Sequence, residues 1–280
     1  MTTAQKVIKY CAIAFAIFLI VTIISAILSG IYGLASVLGL KKETTNETGN
    51  IKLEGDLTAY LDVDVSYSNL NIKIGKGFLA QTNNENTQCK QDGNKLKIKE
   101  KNQKWFVKNN ESDLTIYIPE DLKLEEVKIN TGAGKVNIES LMAQKLKLNL
   151  GAGEVRIESI NADEADIDTG AGKFTIESGN INNLDFDMGV GETNVTAKIT
   201  GKSEIDTGVG AFTLKLLESE EHYRFNVEKG IGNITINGKS ISNNQKIGNG
   251  ENFIDISGGI GKIKIDFALS ATGSARLFIS

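Results

Sequence analysis

Histidine is almost missing from this chain: His222 is the only one in 280 residues. It stands in a polar insertion beside Glu218, Glu220 and Glu221. No Ser/His/Asp or Cys/His set with a spacing reason can be built around it. The chain is therefore expected to be no enzyme and to carry no cofactor and no metal. Cysteine is equally scarce. Cys11 opens an apolar run and Cys89 is the only cysteine after it, so no intramolecular disulfide is available to the rest. A disulfide-free exported domain fits a bacterial surface better than a small eukaryotic secreted module. Aromatics make up 6 % of the chain, little sign of a groove for stacking on sugars, and the formal net charge of −4 goes with an expectation of no nucleic-acid partner.

Glycine, by contrast, is abundant and ordered. Gly-X-Gly with an apolar X occurs at Gly132/Gly134, Gly151/Gly153, Gly170/Gly172, Gly189/Gly191, Gly208/Gly210, Gly230/Gly232 and Gly259/Gly261. The first five start 19 residues apart, and the last two intervals are 22 and 29. A fixed period near 20 marks a solenoid, in which one coil cannot bury its apolar face alone. Leucine-rich repeats have a similar period but need an Asn/Cys ladder that is not present. No third glycine completes a dinucleotide fingerprint, and no Walker loop follows Gly134-Lys135 or Gly172-Lys173.

The flanks of the glycines describe one coil. Three residues before each motif stand Ile129, Leu148, Ile167, Phe186, Ile205, Val227 and Ile256. Two after it stand Val136, Val155, Phe174, Thr193, Phe212, Ile234 and Ile263; four after it, Ile138, Ile157, Ile176, Val195, Leu214, Ile236 and Ile265. Apolar and polar residues alternate, as in half-buried strands, so these three columns are predicted to form internal ladders. The glycines mark a corner where the alternation changes phase. The X residues grow from Ala133, Ala152 and Ala171 through Val190 and Val209 to Ile231 and Ile260, and they too are expected to point inward. Two acidic columns are present, one with Asp168, Asp187 and Asp206, the other with Glu139, Glu158 and Glu177. Calcium would be their functional reading, but the nonapeptide calcium motif and its period are missing.

Residues 11–40 carry no charge, and about 20 apolar residues suffice to span a bilayer. The expected organisation is a cytoplasmic tail at 1–10, a transmembrane anchor at 11–40 that partners with the lipid bilayer, and a polar tether at 41–50. Residues 50–280 are placed outside the cell, because a ten-residue tail before one long anchor usually stays cytoplasmic; Lys6 and Lys9 against Lys41 and Lys42 leave only a small charge bias, since acidic residues count little. Gly33-Leu34-Ala35 offers the alternative of a cleavage site.

Residues 51–120 are strand-like but carry the period less cleanly, with Gly75-Lys76-Gly77 resembling a degenerate corner. They are read as an irregular β region that caps the solenoid at 121–268, and Pro119, the only proline, stands where the regular coils begin. Residues 90–108 hold seven lysines against Asp92 and Glu100. Lys97, Lys99, Lys101, Lys104 and Trp105 are the candidates for contact with an anionic surface; a solvated edge strand kept from aggregating by its lysines is the alternative. Residues 269–280, with Leu277-Phe278-Ile279, are expected to fold over the last coil as a cap strand.

The run Leu114-Thr-Ile-Tyr-Ile-Pro-Glu, then Val127-Lys-Ile-Asn-Thr-Gly-Ala-Gly-Lys-Val-Asn-Ile-Glu, then the repeated Gly-X-Gly strands, resembles the bacterial "putative adhesin" family over residues 50–268. That resemblance implies an all-β, single-domain, surface β-solenoid, parallel β-helix-like with coils of about 19 residues, behind one membrane anchor and with no established catalytic or ligand residues. The function expected is a non-enzymatic cell-envelope protein, adhesin-like or associated with envelope stress, whose partner is an envelope polymer or another envelope protein. A self-assembling β-helical scaffold and a carbohydrate-active β-helix protein are the alternatives.

Overall fold

The computed structural model describes residues 49–52, 59–84, 86–100, 112–242 and 244–268. The chain divides into two units, Met1–Asn46 and Glu47–Ser280, and all described residues belong to the second. The expected anchor at 11–40 and cap strand at 269–280 lie outside the described residues.

Among the described residues the fold is all-β apart from one short 3-10 turn, Glu220–His222. Strand β8 (Leu124–Ile176) runs 53 residues without a break, because each Gly-X-Gly corner keeps its place in the ladder while the chain turns. It pairs in parallel with β10 (Leu184–Thr200), which pairs in parallel with β11 (Lys202–Leu216), both with a 19-residue shift. A coil has three sides: one before the corner, one after it, and a third on which β9 (Gly179–Asn182) lies between Ile160–Ala162 of β8 and Lys198–Thr200 of β10.

All three predicted columns are buried, including Thr193, the one polar member. The −3, +2 and +4 ladders therefore fill the interior, with Leu141, Ala143, Ile160, Ala162, Ile181 and Ile199 closing it from the third side. Phe174, Phe186 and Phe212 pack with ring centroids 5.5 and 5.6 Å apart. A register slip would expose every one of these side chains, so the stacking is strongly specified.

The order of the coils in space is not their order in sequence. Strands β16 (Asn252–Ser257) and β17 (Ile260–Phe267) pair in parallel with β11 on one flank. On the other flank they pair with β12 (Tyr223–Glu228) and β13 (Ile231–Ile236). The Gly259 coil is thus inserted between the Gly208 and Gly230 coils. The start of the chain is built the same way. Strands β2 (Tyr60–Val65) and β3 (Asn69–Gly75) lie against β8 on one flank. Their other flank is covered by β6 (Lys95–Glu100) and β7 (Asp113–Pro119).

Each outer coil is finished by short antiparallel strands. These are β4 (Leu79–Thr82) on β7, β1 (Gly49–Lys52) on β4, and β5 (Thr87–Asp92) on β6 at one end. At the other they are β14 (Lys239–Ile241) on β13 and β15 (Gln245–Gly248) on β12. Short polar edges of this kind discourage further pairing. Two sequence expectations are corrected. The coil at 262–267, last in the sequence, is not the last of the stack, since β17 is paired on both flanks. The degenerate corner is Ser66-Tyr67-Ser68, which sits against Gly132-Ala133-Gly134, and not Gly75-Lys76-Gly77. Gly75 lies within β3, opposite Pro119.

Candidate functional site

The corner is built from backbone alone. A Cβ on Gly151 would stand 1.9 Å from the carbonyl oxygen of Gly132, and one on Gly153 would stand 1.9 Å from that of Gly134. Both glycines direct their missing side chains along the stack, and the second also has φ of +142°, which L-residues rarely adopt. All fourteen corner glycines singled out from the sequence line this one edge, and none presents a functional group.

Both glycines face the same neighbouring coil along the stack, and the residue between them is turned to solvent. The expectation that X points inward is therefore overturned. Ala133, Ala152 and Ala171 are exposed, and Val190, Val209, Ile231 and Ile260 are 57, 42, 58 and 42 % exposed. Tyr67 of the serine corner, 59 % exposed, extends the same line. In spatial order the ridge reads Tyr, Ala, Ala, Ala, Val, Val, Ile, Ile, with Val209 beside Ile260 and Ile260 beside Ile231.

The side before the corner carries the acidic column. Asp168, Asp187 and Asp206 stack directly, and a second column two residues earlier adds Asp166, Asp185, Glu204 and Asp255. Partial burial, then repulsion from Asp168, Asp185 and Asp206, raises the Asp187 pKa above the usual carboxylate value. Asp185 is raised for the same reasons, by partial burial first and then Asp166, Asp168 and Asp206. Earlier in the stack the same columns change sign. Lys97 and Lys99 lie 3.0 Å from Asp62 and Asp64, and Lys147 pairs with Asp166. A shallow groove of about 500 Å³ runs across this side, lined by Lys145, Lys147, Glu164, Asp185, Lys202 and Glu204 among others. Among the described residues, no group of three or more His, Cys, Asp or Glu side chains is placed to hold a metal ion.

The remaining sequence candidates are dispersed. Lys97 and Lys99 sit on β6 and are engaged with aspartates, while Lys101, Lys104 and Trp105 lie outside the described residues. His222 is half-exposed, with Nδ1 3.2 Å from Glu251. Cys89 is partly buried, and burial pushes its thiol up to about 11.

The sequence reading missed Glu100. This buried carboxylate accepts the backbone N–H groups of Ser66, Tyr67 and Ser68 at 2.7, 3.0 and 3.3 Å, the Ser68 hydroxyl at 3.0 Å, and the Asn84 amide. It supplies one side chain where a neighbouring coil would supply corner carbonyls, and so it closes the corner ladder at the serine corner. Its position in a strand of alternating lysines (Lys95, Lys97, Lys99), at a place where an inward residue belongs, was the available signal.

Among the described residues no helix is long and apolar enough to cross a membrane. Two solved structures are similar to the chain. One, described as a "putative cell adhesion protein" from Clostridium sporogenes, is 18 % identical over 78 % of this chain and 98 % of that one, with a TM-score of 0.40. The other, a "putative adhesin" from Bacteroides fragilis, is 12 % identical over 77 % and 94 %, with a TM-score of 0.38. Likeness at this level carries nothing about function. No curated protein matches the sequence. Residues 61–266 match the model of the Toastrack DUF4097 family.

Proposed function

Since the chain belongs to the Toastrack DUF4097 family, we propose that it is a non-enzymatic, membrane-anchored cell-envelope protein, adhesin-like or associated with envelope stress. In this reading residues 11–40 hold the β-solenoid at the outer surface of the membrane, where it works by binding. One observation carries the binding part. A line of apolar corner residues extends along seven coils and stacked carboxylates along four, at a spacing of about 4.8 Å. A periodic surface of this kind matches a long or repeating partner such as an envelope polymer or another envelope protein. The uncharged run at 11–40 supports the anchor.

The scaffold alternative needs ends open to head-to-tail stacking. The antiparallel strands on both outer coils argue against it, because they occupy the edges that another chain would pair with. The test of the main reading is protease treatment of intact cells expressing the chain with a C-terminal epitope. Loss of the epitope without permeabilisation is expected. Protection of the epitope until the cells are opened would overturn the external placement.

A further inference from the structure

From the taper of the corner ridge, we propose that it is a self-recognition surface on which two copies of this chain pair antiparallel. The pairing goes beyond the envelope reading and does not depend on it.

The core does not explain the ridge. Its residues face solvent, where a polar residue would serve the fold equally well, yet all seven X positions are Ala, Val or Ile. Strand preference would favour Val and Ile, but it does not favour Ala over Thr, and no X is Thr. Isolated exposed apolar residues need no explanation, whereas a contiguous line of them does. Five of the seven large hydrophobic residues exposed among the described residues (Tyr67, Val190, Val209, Ile231 and Ile260) stand on this one line.

The order of sizes identifies the occupant. Turning a second copy end for end about a two-fold axis at Val190 sets Ala133 against Ile231, Ala152 against Ile260, Ala171 against Val209 and Val190 against itself. Each opposed pair then has nearly the same bulk, so two tapered ridges make a contact of even thickness. A parallel pairing would put Ile on Ile at one end and leave a gap between alanines at the other. Charge follows the same pattern. The nearest flanking column is Lys135, Glu154, Lys173, Glu192, Ala211, Lys262 and Asn233, and the antiparallel register places Glu154 opposite Lys262 of the second copy. Glu192 meets its own equivalent at the axis, with Lys173 3.9 Å away in each copy to offset the repulsion. The aspartate columns begin three residues, roughly 10 Å, behind the ridge on a side that recedes from the corner. That distance exceeds the Debye length of about 8 Å at physiological salt.

Seven coils at about 4.8 Å make a ridge of roughly 34 Å, which covers on the order of 350 Å² per copy. A standard interface buries about 800 Å² per partner, so the pair belongs to the weak, transient class.

The experiment uses the full chain in lipid vesicles, in a Cys11→Ser, Cys89→Ser background, with mild oxidative cross-linking. Val190→Cys is expected to cross-link with itself. Ile231→Cys and Ala133→Cys are expected to cross-link only when mixed with each other. Adding Val209→Glu to Val190→Cys should cut the yield about tenfold with the melting temperature unchanged, which separates loss of pairing from loss of folding. Self-cross-linking of Ile231→Cys would overturn the antiparallel register. No cross-link at Val190→Cys, or a yield indifferent to Val209→Glu, would overturn self-recognition altogether.

Discussion

Replacing Gly153 by alanine tests the close approach of the stacked corners. The added Cβ would lie 1.9 Å from the carbonyl oxygen of Gly134, whereas real Cβ atoms keep at least 3.0 Å. The neighbouring backbones must therefore separate by about 1 Å, which breaks or stretches three or four inter-coil hydrogen bonds at about 1 kcal/mol each. The φ of +142° adds roughly 1–3 kcal/mol of strain for a residue with a side chain. The total is about 4–7 kcal/mol, a large share of the roughly 5–15 kcal/mol that holds a domain folded.

Two controls divide this total. Gly134 has nearly the same backbone, with φ of +147°, but a Cβ there would stand 3.1 Å from the Ser68 oxygen, so Gly134→Ala carries the strain with little clash. Gly93 has φ of +56° and nothing within 4 Å of the added Cβ, so Gly93→Ala should cost only about 1–2 kcal/mol. Urea unfolding of the full chain in mild detergent, followed by circular dichroism, gives the three differences. Gly153→Ala is expected to be the most destabilised and Gly93→Ala the least. If Gly153→Ala fell within about 1 kcal/mol of Gly134→Ala, the clash would be relaxing without cost, and the reasoning that only glycine lets the coils stack would be wrong.

Ile157→Asp should cost several kcal/mol, since it places an unpaired charge at a position with no solvent exposure. Ile157→Val should cost about 1 kcal/mol, and similar melting curves for the two would contradict the internal ladder. Glu100→Gln turns an acceptor-only group into one with an amide donor facing donors, for a loss of about 2–3 kcal/mol. Hydrogen exchange should then rise at the amides of Ser66, Tyr67 and Ser68, and unchanged protection there would refute the role of Glu100. Asp187 has a raised pKa in the fold, so its favourable contribution is full below the unfolded value of about 3.9 and is lost as pH rises through the folded value. Asp187→Asn should accordingly raise the melting temperature by on the order of 1 °C at pH 7. That gain should vanish near pH 4, and one that persisted or grew in acid would reverse the sign.

Much of the coil was legible before any coordinates. Alternation is a local property, so Ile129, Val136 and Ile138 could be assigned to the interior from their spacing to Gly132 alone, and the same held for each repeat. The glycines could be assigned to corners because only they tolerate the backbone that a corner needs. What the sequence left open depends on which coil meets which. The Gly208 coil presents an apolar pair of strands that either the Gly230 or the Gly259 coil can cover, because both carry the same three columns. The structure places the Gly259 coil there, with Thr207 accepting the Gly259 N–H at 2.9 Å and donating to the Ser257 carbonyl at 3.2 Å. The exposure of Val190 and Ile260 was hidden for a related reason. A period-two pattern assigns inside and outside only where consecutive side chains alternate, and two glycines facing along the stack break that rule between the sides. Column membership thus followed from residues a few positions apart, whereas coil order and the solvent face of the corner followed only from contacts between distant parts of the chain.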